Sequence, residues 1–158
     1  MVVDNIKENY EDFSKFNEYN YIYNKLITLL MVDGKFQTAK KIVDQSINNL
    51  NQHLNDSTES QLMLLTAIYN VSPTVEIKAK RIGSSIYQIP QGLTFKKRLS
   101  TGIKLLIKET RLRKEYKMVD RLSNELIDAF NMRGVSIKQR DDIHKQAELN
   151  KTFAHFNW

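Results

Sequence analysis

The sequence predicts a mainly α fold, a bundle of about six helices with a β-hairpin between the third and fourth. Three observations carry this reading. Apolar residues recur at helical spacing in six stretches of the chain. Between the third and fourth stretches, near residue 74, the period drops to two. No internal repeat, low-complexity tract or linker divides the 158 residues, which form one domain long enough to bury a core.

The elements follow in order. Residues 1–18 are polar, without a clean period, and read as an acidic N-terminal arm. Tyr23, Leu26, Ile27 and Leu30 then mark a first helix over about 19–32, stopped by Asp33-Gly34. Ala39, Ile42, Val43, Ile47 and Leu50 are the buried stripe of the second. A polar connection over 51–57 offers Asp56 and Ser57 as N-caps for a third helix over about 58–70. That helix turns Leu62, Leu65 and Ile68 or Tyr69 inward and ends at Asn70 and Pro73.

Residues 74–90 read as the hairpin. Val75, Ile77 and Ala79 point one way and Glu76, Lys78 and Lys80 the other, with Gly83-Ser84-Ser85 as the turn. One face is expected to be apolar, and the other, with its tip, basic. A lone hairpin is marginal in water, so it must lean on the helices or on a partner. The fourth helix, about 94–112, buries Leu99, Ile103, Leu106 and Ile107. Lys97, Lys104, Lys108 and Arg111 make a second stripe, centred about 125° from the first. The fifth, about 116–131, buries Met118, Val119, Leu122, Leu126 and Ala129 and ends at Gly134. The sixth, about 136–152, turns Ile137, Ile143 and Ala147 inward.

Charge narrows the function. The formal net charge is +6. It is unevenly spread: residues 1–24 hold Lys7 and Lys15 against Asp4, Glu8, Glu11, Asp12 and Glu18, a net −3. The densest basic stretch, 96–117, sets Lys96, Lys97, Arg98, Lys104, Lys108, Arg111, Arg113, Lys114 and Lys117 against Glu109 and Glu115, a net +7. A basic body favours a polyanion, because each neutralised phosphate releases condensed counterions. Tyr87 is placed either to stack on a base or to pack on the hairpin base.

Other chemistries find no footing. The chain has no cysteine, which excludes disulfides, thiolate metal sites and cysteine nucleophiles. No apolar run reaches the roughly 20 residues of a membrane helix, and the N-terminus carries no signal-type run. His144 and Glu148 sit four apart, near Asp141 and Asp142, but no further ligand is flagged. Neither a nucleophile elbow nor a phosphate-cradling glycine loop occurs. No catalytic residue, metal or cofactor is expected.

Several strings, in one collinear order, resemble the small-subunit ribosomal protein seven family. They are Leu30-Met31-Val32-Asp33-Gly34-Lys35, Asn70-Val71-Ser72-Pro73-Thr74-Val75-Glu76-Ile77-Lys78, Lys80-Arg81-Ile82-Gly83 and Tyr87-Gln88-Ile89-Pro90. Arg121-Leu122-Ser123-Asn124-Glu125-Leu126, Lys138-Gln139-Arg140 and Asn150-Lys151-Thr152-Phe153-Ala154-His155-Phe156 continue it. The resemblance spans about residues 25–158. It implies a six-helix bundle with a protruding hairpin, so that 19–158 is one ribosomal-RNA-binding domain. It also implies a structural constituent of the small subunit that binds the 3′ major (head) domain of its rRNA and supports head assembly. The hairpin would lie near the exit-site tRNA and the mRNA exit path, among neighbouring small-subunit proteins.

By that resemblance Lys35, Lys78, Lys80, Arg81, Lys97, Arg98, Arg111, Arg113, Lys138 and Arg140 are expected RNA contacts. The dense basic stretch of 96–117 adds Lys96, Lys104 and Lys108. His155 and Phe156 are expected to pack or to form an interface. Bacterial relatives carry a basic N-terminal arm and a longer C-terminal tail, where this chain has an acidic arm and stops at Trp158. That end, with lettering rich in Asn, Ile, Lys and Tyr (residues of AT-rich codons), points first to a mitochondrial ribosome. A plastid-type organelle or the bacterial cytoplasm comes next. The rival reading is a non-ribosomal helical adaptor or DNA-binding protein, with the junction near Gly134 as a helix-turn-helix.

Overall fold

The computed structural model describes the backbone of residues 18–53 and 57–156. The acidic arm up to residue 17, the connection around Asp56, and Trp158 lie outside the described residues. Among the described residues six α-helices follow one another: α1 Glu18–Leu30, α2 Phe36–His53, α3 Ser57–Val71, α4 Phe95–Leu112, α5 Met118–Phe130 and α6 Val135–Leu149. Between α3 and α4 run β1 Val75–Ile82 and β2 Ser85–Gly92, and a 3₁₀ turn, Lys151–Phe156, closes the described chain. The expected mainly α bundle with an inserted antiparallel hairpin is therefore the observed fold.

The core is one cluster. Ile22, Leu26, Ile27 and Leu30 of α1 meet Ala39, Val43 and Leu50 of α2 and Leu99, Ile103, Leu106 and Ile107 of α4. Leu122, Leu126 and Ala129 close it from α5. The central helix is α3, which packs against all five other helices. That position explains its weak amphipathicity: Met63, Leu64, Leu65, Ala67, Ile68 and Val71 are buried around most of its circumference. Leu62 corrects the sequence reading, since it is 41% exposed. A single inward stripe does not describe a helix with neighbours on several sides.

Polar links fix the helices to one another. The Ser46 hydroxyl donates to the Val119 carbonyl at 3.2 Å, joining α2 to α5. The Asn70 amide donates to the carbonyls of Ala129 at 3.1 Å and Phe130 at 3.2 Å, joining the ends of α3 and α5. Arg113, just past α4, reaches Glu125 at 2.5 Å and Asp128 at 2.9 Å on α5. Between α1 and α2, Asp33 and Gly34 both have left-handed backbone, at φ 51° and 71°. This is the stop that Asp33-Gly34 predicts, and α1 ends at Leu30, two residues short of the expected boundary.

The hairpin pairs Val75 with Gly92 through Ile82 with Ser85. Gly83 alone of its two turn residues has positive φ, the II′ pattern that matches strand twist. Directly paired residues share a face, and the register corrects the expected division of faces. Lys78 lies opposite Ile89, and Lys80 opposite Tyr87. Ile89 is buried and Tyr87 is half-buried against Phe153 and Phe156, with ring centroids 5.2 and 5.6 Å away. The packed side of the hairpin is thus the lysine side. The side carrying Ile77 and Ala79 is more open, and its Ile86 is 71% exposed. Alternation in β1 alone could not show this, because the apolar residues that pack belong to β2.

Candidate RNA-binding surface

The hairpin meets α4 through one carboxylate. Glu76 lies 3.4 Å from the Lys78 ammonium and in closer contact with that of Lys97. The Lys97 hydrogen bond, with Lys78 behind it and burial opposing, holds the Glu76 carboxyl below the usual carboxylate range. One acid thus brings two cations from different elements side by side. Lys80 is half-buried and donates to the Phe156 carbonyl at 3.4 Å. Arg81 is exposed at the tip, its Nε donating to the Gly83 carbonyl at 3.3 Å.

From Lys97 the band runs along α4. Lys104, Lys108 and Arg111 are exposed, as are Lys96 and Lys97 in the first turn. From 97 to 111 the helix rises about 21 Å, at roughly 1.5 Å per residue. Lys108 donates to Gln139 of α6 at 3.4 Å, which brings the exposed Lys138 to the flank of the same stretch. At the far end the Arg111 guanidinium donates to the carbonyls of Leu29 at 3.1 Å and Leu30 at 3.4 Å. It caps the C-terminus of α1, where carbonyls lack helical partners. Arg111 and the exposed Lys35 line one shallow apolar groove of about 220 Å³, floored by Leu30, Ala39, Ile42 and Met118.

Three expected contacts have other engagements. Arg113 is only 23% exposed and is gripped by Glu125, Asp128 and Glu115. Burial opposes its charge, but the hydrogen bonds that the guanidinium donates to Glu125, Asp128 and Glu115 outweigh it and raise its pKa above the ordinary arginine value. Its charge is spent inside the fold. Arg140 is half-buried, donating to the Asn70 carbonyl and to Asp141. Arg98 is half-buried, with a buried Nε that has no hydrogen-bond partner. Lys114 and Lys117, exposed beyond the end of α4, extend the band beyond the set expected from sequence. The basic run over 96–117 was their signal.

The hairpin root rests on α6. The amide of Thr74 donates to Nε2 of His144 at 3.0 Å. Burial first, then the charges of Arg140 and Arg98 against that of Asp141, pull the imidazole below its ordinary value. Nothing in the spacing of residues 74 and 144 announces this bond. Among the described residues, no group of three or more His, Asp or Glu is placed to hold a metal ion, and no helix is long and apolar enough to cross a membrane.

A rigid helical scaffold that neutralises many of its carboxylates internally and turns a lysine and arginine band outward is built as a structural polyanion-binding protein. The family model described as ribosomal protein S7p/S5e matches residues 3–151. Small ribosomal subunit protein uS7 of Pelobacter propionicus is 40% identical over 134 residues, covering 85% of each chain. That of Streptococcus pyogenes serotype M1 is 41% identical over 138 residues, covering 87% of this chain and 86% of its own. That of Acidiphilium cryptum is 36% identical over 137 residues, covering 87% of each. The chain belongs to the ribosomal protein S7p/S5e family, whose members in the small subunit are structural and not enzymes.

Proposed function

We propose that the chain binds the 3′ major (head) domain of small-subunit rRNA and helps to assemble the head, with neighbouring small-subunit proteins around it. The observation that carries this is the cationic band from Arg81 through Lys78, Lys97, Lys104 and Lys108 to Arg111 and Lys35, flanked by Lys96 and Lys138. Phosphates neutralise such a band while the buried stripe of α4 holds it straight. Lys80, Arg98 and Arg140 serve mainly to set the hairpin and α6, with partial exposure toward RNA, and Arg113 serves the fold.

The hairpin, extending from the bundle with Arg81 and Ile86 exposed at its tip, reaches toward the exit-site tRNA and the mRNA exit path. The host ribosome is proposed to be mitochondrial. That rests on the lettering rich in Asn, Ile, Lys and Tyr, while the similar uS7 proteins of Pelobacter propionicus and Streptococcus pyogenes are bacterial.

The test is binding of the purified chain to the rRNA head domain across a salt gradient, with duplex DNA as competitor. Affinity should fall steeply with salt and withstand the DNA. Displacement by DNA at equal phosphate concentration would reject the reading in favour of a general nucleic-acid adaptor.

A further inference from the structure

The loop between α4 and α5 holds a ring out in solvent. Tyr116 is 96% exposed, the most open large apolar side chain among the described residues. The loop beneath it is nonetheless fixed. The Glu115 carboxylate accepts from Arg113 Nε at 3.0 Å and from the Asn124 amide at 3.3 Å. The Glu115 carbonyl accepts from Arg121, which also donates to the Arg111 carbonyl at 3.3 Å. Two side chains of α5 thus grip the residue before the tyrosine, one by its carboxylate and one by its backbone. The chain is extended at Arg113 (φ −63°, ψ 152°) and again at Lys117 (φ −88°, ψ 139°). Side chains alternate accordingly: Arg113 and Glu115 are half-buried, and Lys114 and Tyr116 are exposed. Lys114 and Tyr116 therefore share the outward side, with Cα atoms about 7 Å apart. Lys117, the next residue, is exposed as well.

We propose that Tyr116 is a stacking platform for an unpaired nucleobase, with Lys114 and Lys117 holding the phosphates beside it. The proposal rests on the RNA reading of the cationic band and adds a base to the phosphates that band would meet. Every base has a π-face, so an exposed ring between cations suits an RNA strand of any sequence. A base inside a duplex is already stacked on both sides, so the ligand is a single strand, a loop or a bulge. Glu115 is the one acid from 113 to 117, and Arg113 takes up its charge. Nothing in the loop therefore repels a phosphate from the two lysines. A protein partner would call for a contiguous apolar patch. Here the ring's exposed companions in the loop are cations. The site also continues the band, since Met118 lines the groove of Arg111 and Lys35. Tyr87, the other tyrosine open to this role, is engaged with Phe153 and Phe156 instead. Because the loop is already fixed, binding loses little conformational entropy there.

The test uses the full chain and two probes, a short single-stranded oligoadenylate at low salt and the rRNA head fragment. Adding the oligoadenylate should move the Tyr116 ring protons upfield, and an RNA duplex of equal length should not. Tyr116→Ala and Tyr116→Leu should each weaken binding of both probes by about five- to a hundredfold, the span of one base–aromatic stack. Tyr116→Phe should stay close to the parent, because it keeps the ring. The salt slope should not change in these variants, since the ring neutralises no phosphate, whereas Lys114→Ala should flatten it by close to one. Thermal unfolding of Tyr116→Ala should match the parent. No binding of the oligoadenylate, equal affinity of Tyr116→Ala and the parent for it, or full activity of Tyr116→Leu would each overturn the proposal. So would a flattened slope or a lowered unfolding temperature in Tyr116→Ala, because the ring would then act through the lysines or the fold. If the parent fails on the head fragment while the oligoadenylate pattern holds, the rRNA reading falls and the stacking site stands.

Discussion

The backbone N–H of Thr74 donates to Nε2 of His144 at 3.0 Å, tying the residue that opens the hairpin to the middle of α6. An imidazole that accepts at Nε2 must be neutral and carry its proton on Nδ1. Protonation would turn the acceptor into a donor facing a donor. Burial, Arg140 and Arg98, against Asp141, already disfavour the charged ring, so its pKa in the folded chain lies below the 6.5 of a free histidine. The unfolded chain therefore takes up this proton first. The bond's contribution to stability is fully present above pH 6.5 and is lost as pH falls through that value toward the lower folded one. Amide exchange measured between pH 7.5 and 5 should show Thr74 and the paired β1 and β2 amides losing protection before the core of α4. His144→Ala should reproduce the low-pH pattern at pH 7.5. Uniform loss across all helices would reject a local hinge.

Arg111 and Arg113 stand two residues apart and do different work. Glu125 is 1% exposed, and its carboxylate is shared between Arg113 at 2.5 Å and the Ser136 hydroxyl at 2.5 Å. Removing the guanidinium leaves a buried carboxylate with one neutral donor. Breaking a buried pair from one side costs about 3–5 kcal/mol. Arg113→Ala should therefore lower denaturant-measured stability by about that amount. Arg111→Ala loses an exposed cap on two carbonyls and should cost about 1 kcal/mol or less. Equal losses for the two variants would contradict the assignment of Arg113 to the interior.

The sequence was legible where one periodicity meets one environment. Leu99, Ile103, Leu106 and Ile107 read as a buried stripe, and they are one. The period change near residue 74 located the hairpin within two residues at either end. Legibility failed where a neighbour decides. Leu62 sits on a helix packed from several sides, so its own spacing does not choose its direction. The lysine face of the hairpin is the packed face because Tyr87 and Ile89 pair across from Lys80 and Lys78, a matter of register. Arg113 looks like Arg111 in the sequence, and only the return of α5, with Glu125 and Asp128 on it, separates them. The sixth helix, expected to run to about 152, ends at Leu149, and the 3₁₀ turn Lys151–Phe156 that follows it seats Tyr87 on Phe153 and Phe156.

Gly102 of α4 lies directly against Ser72, the residue that follows α3. A Cβ there would overlap the Ser72 side chain and stand 2.9 Å from Ser72 Cα, which is backbone and cannot swing away. Ser72 is buried, and its hydroxyl donates to the Ile68 carbonyl at 2.6 Å. Replacing a mid-helix glycine by alanine normally gains about 1 kcal/mol of helix propensity. Overpacking a tight core costs about 1–3 kcal/mol. The second term should win, because the helices must part or Ser72 must give up its bond. Gly102→Ala should then lower the denaturation midpoint at unchanged slope. A stabilised variant would mean that the α3–α4 contact has slack.

The last prediction separates cations that meet phosphates from cations that hold the fold. On the proposed surface, Lys97, Lys104, Lys108 and Arg81 are exposed, and each neutralised phosphate adds close to one to the slope of log affinity against log salt. Replacing any one of the four by alanine should flatten the slope by about one and leave thermal unfolding nearly unchanged. Lys97 has a second consequence. Its loss leaves Glu76 to Lys78 alone and should cost a further fraction of affinity through the hairpin's seating on α4. Arg113→Ala should do the reverse of the surface set, lowering stability while keeping the salt slope of the folded fraction. The measurement is a titration of each variant against the rRNA head fragment at five salt concentrations below the unfolding temperature of the weakest variant. If Lys104→Ala and Lys108→Ala both keep the parent slope, the outward face of α4 does not meet phosphate. The RNA-binding band would then have to be confined to the hairpin and the loops at the two ends of α4.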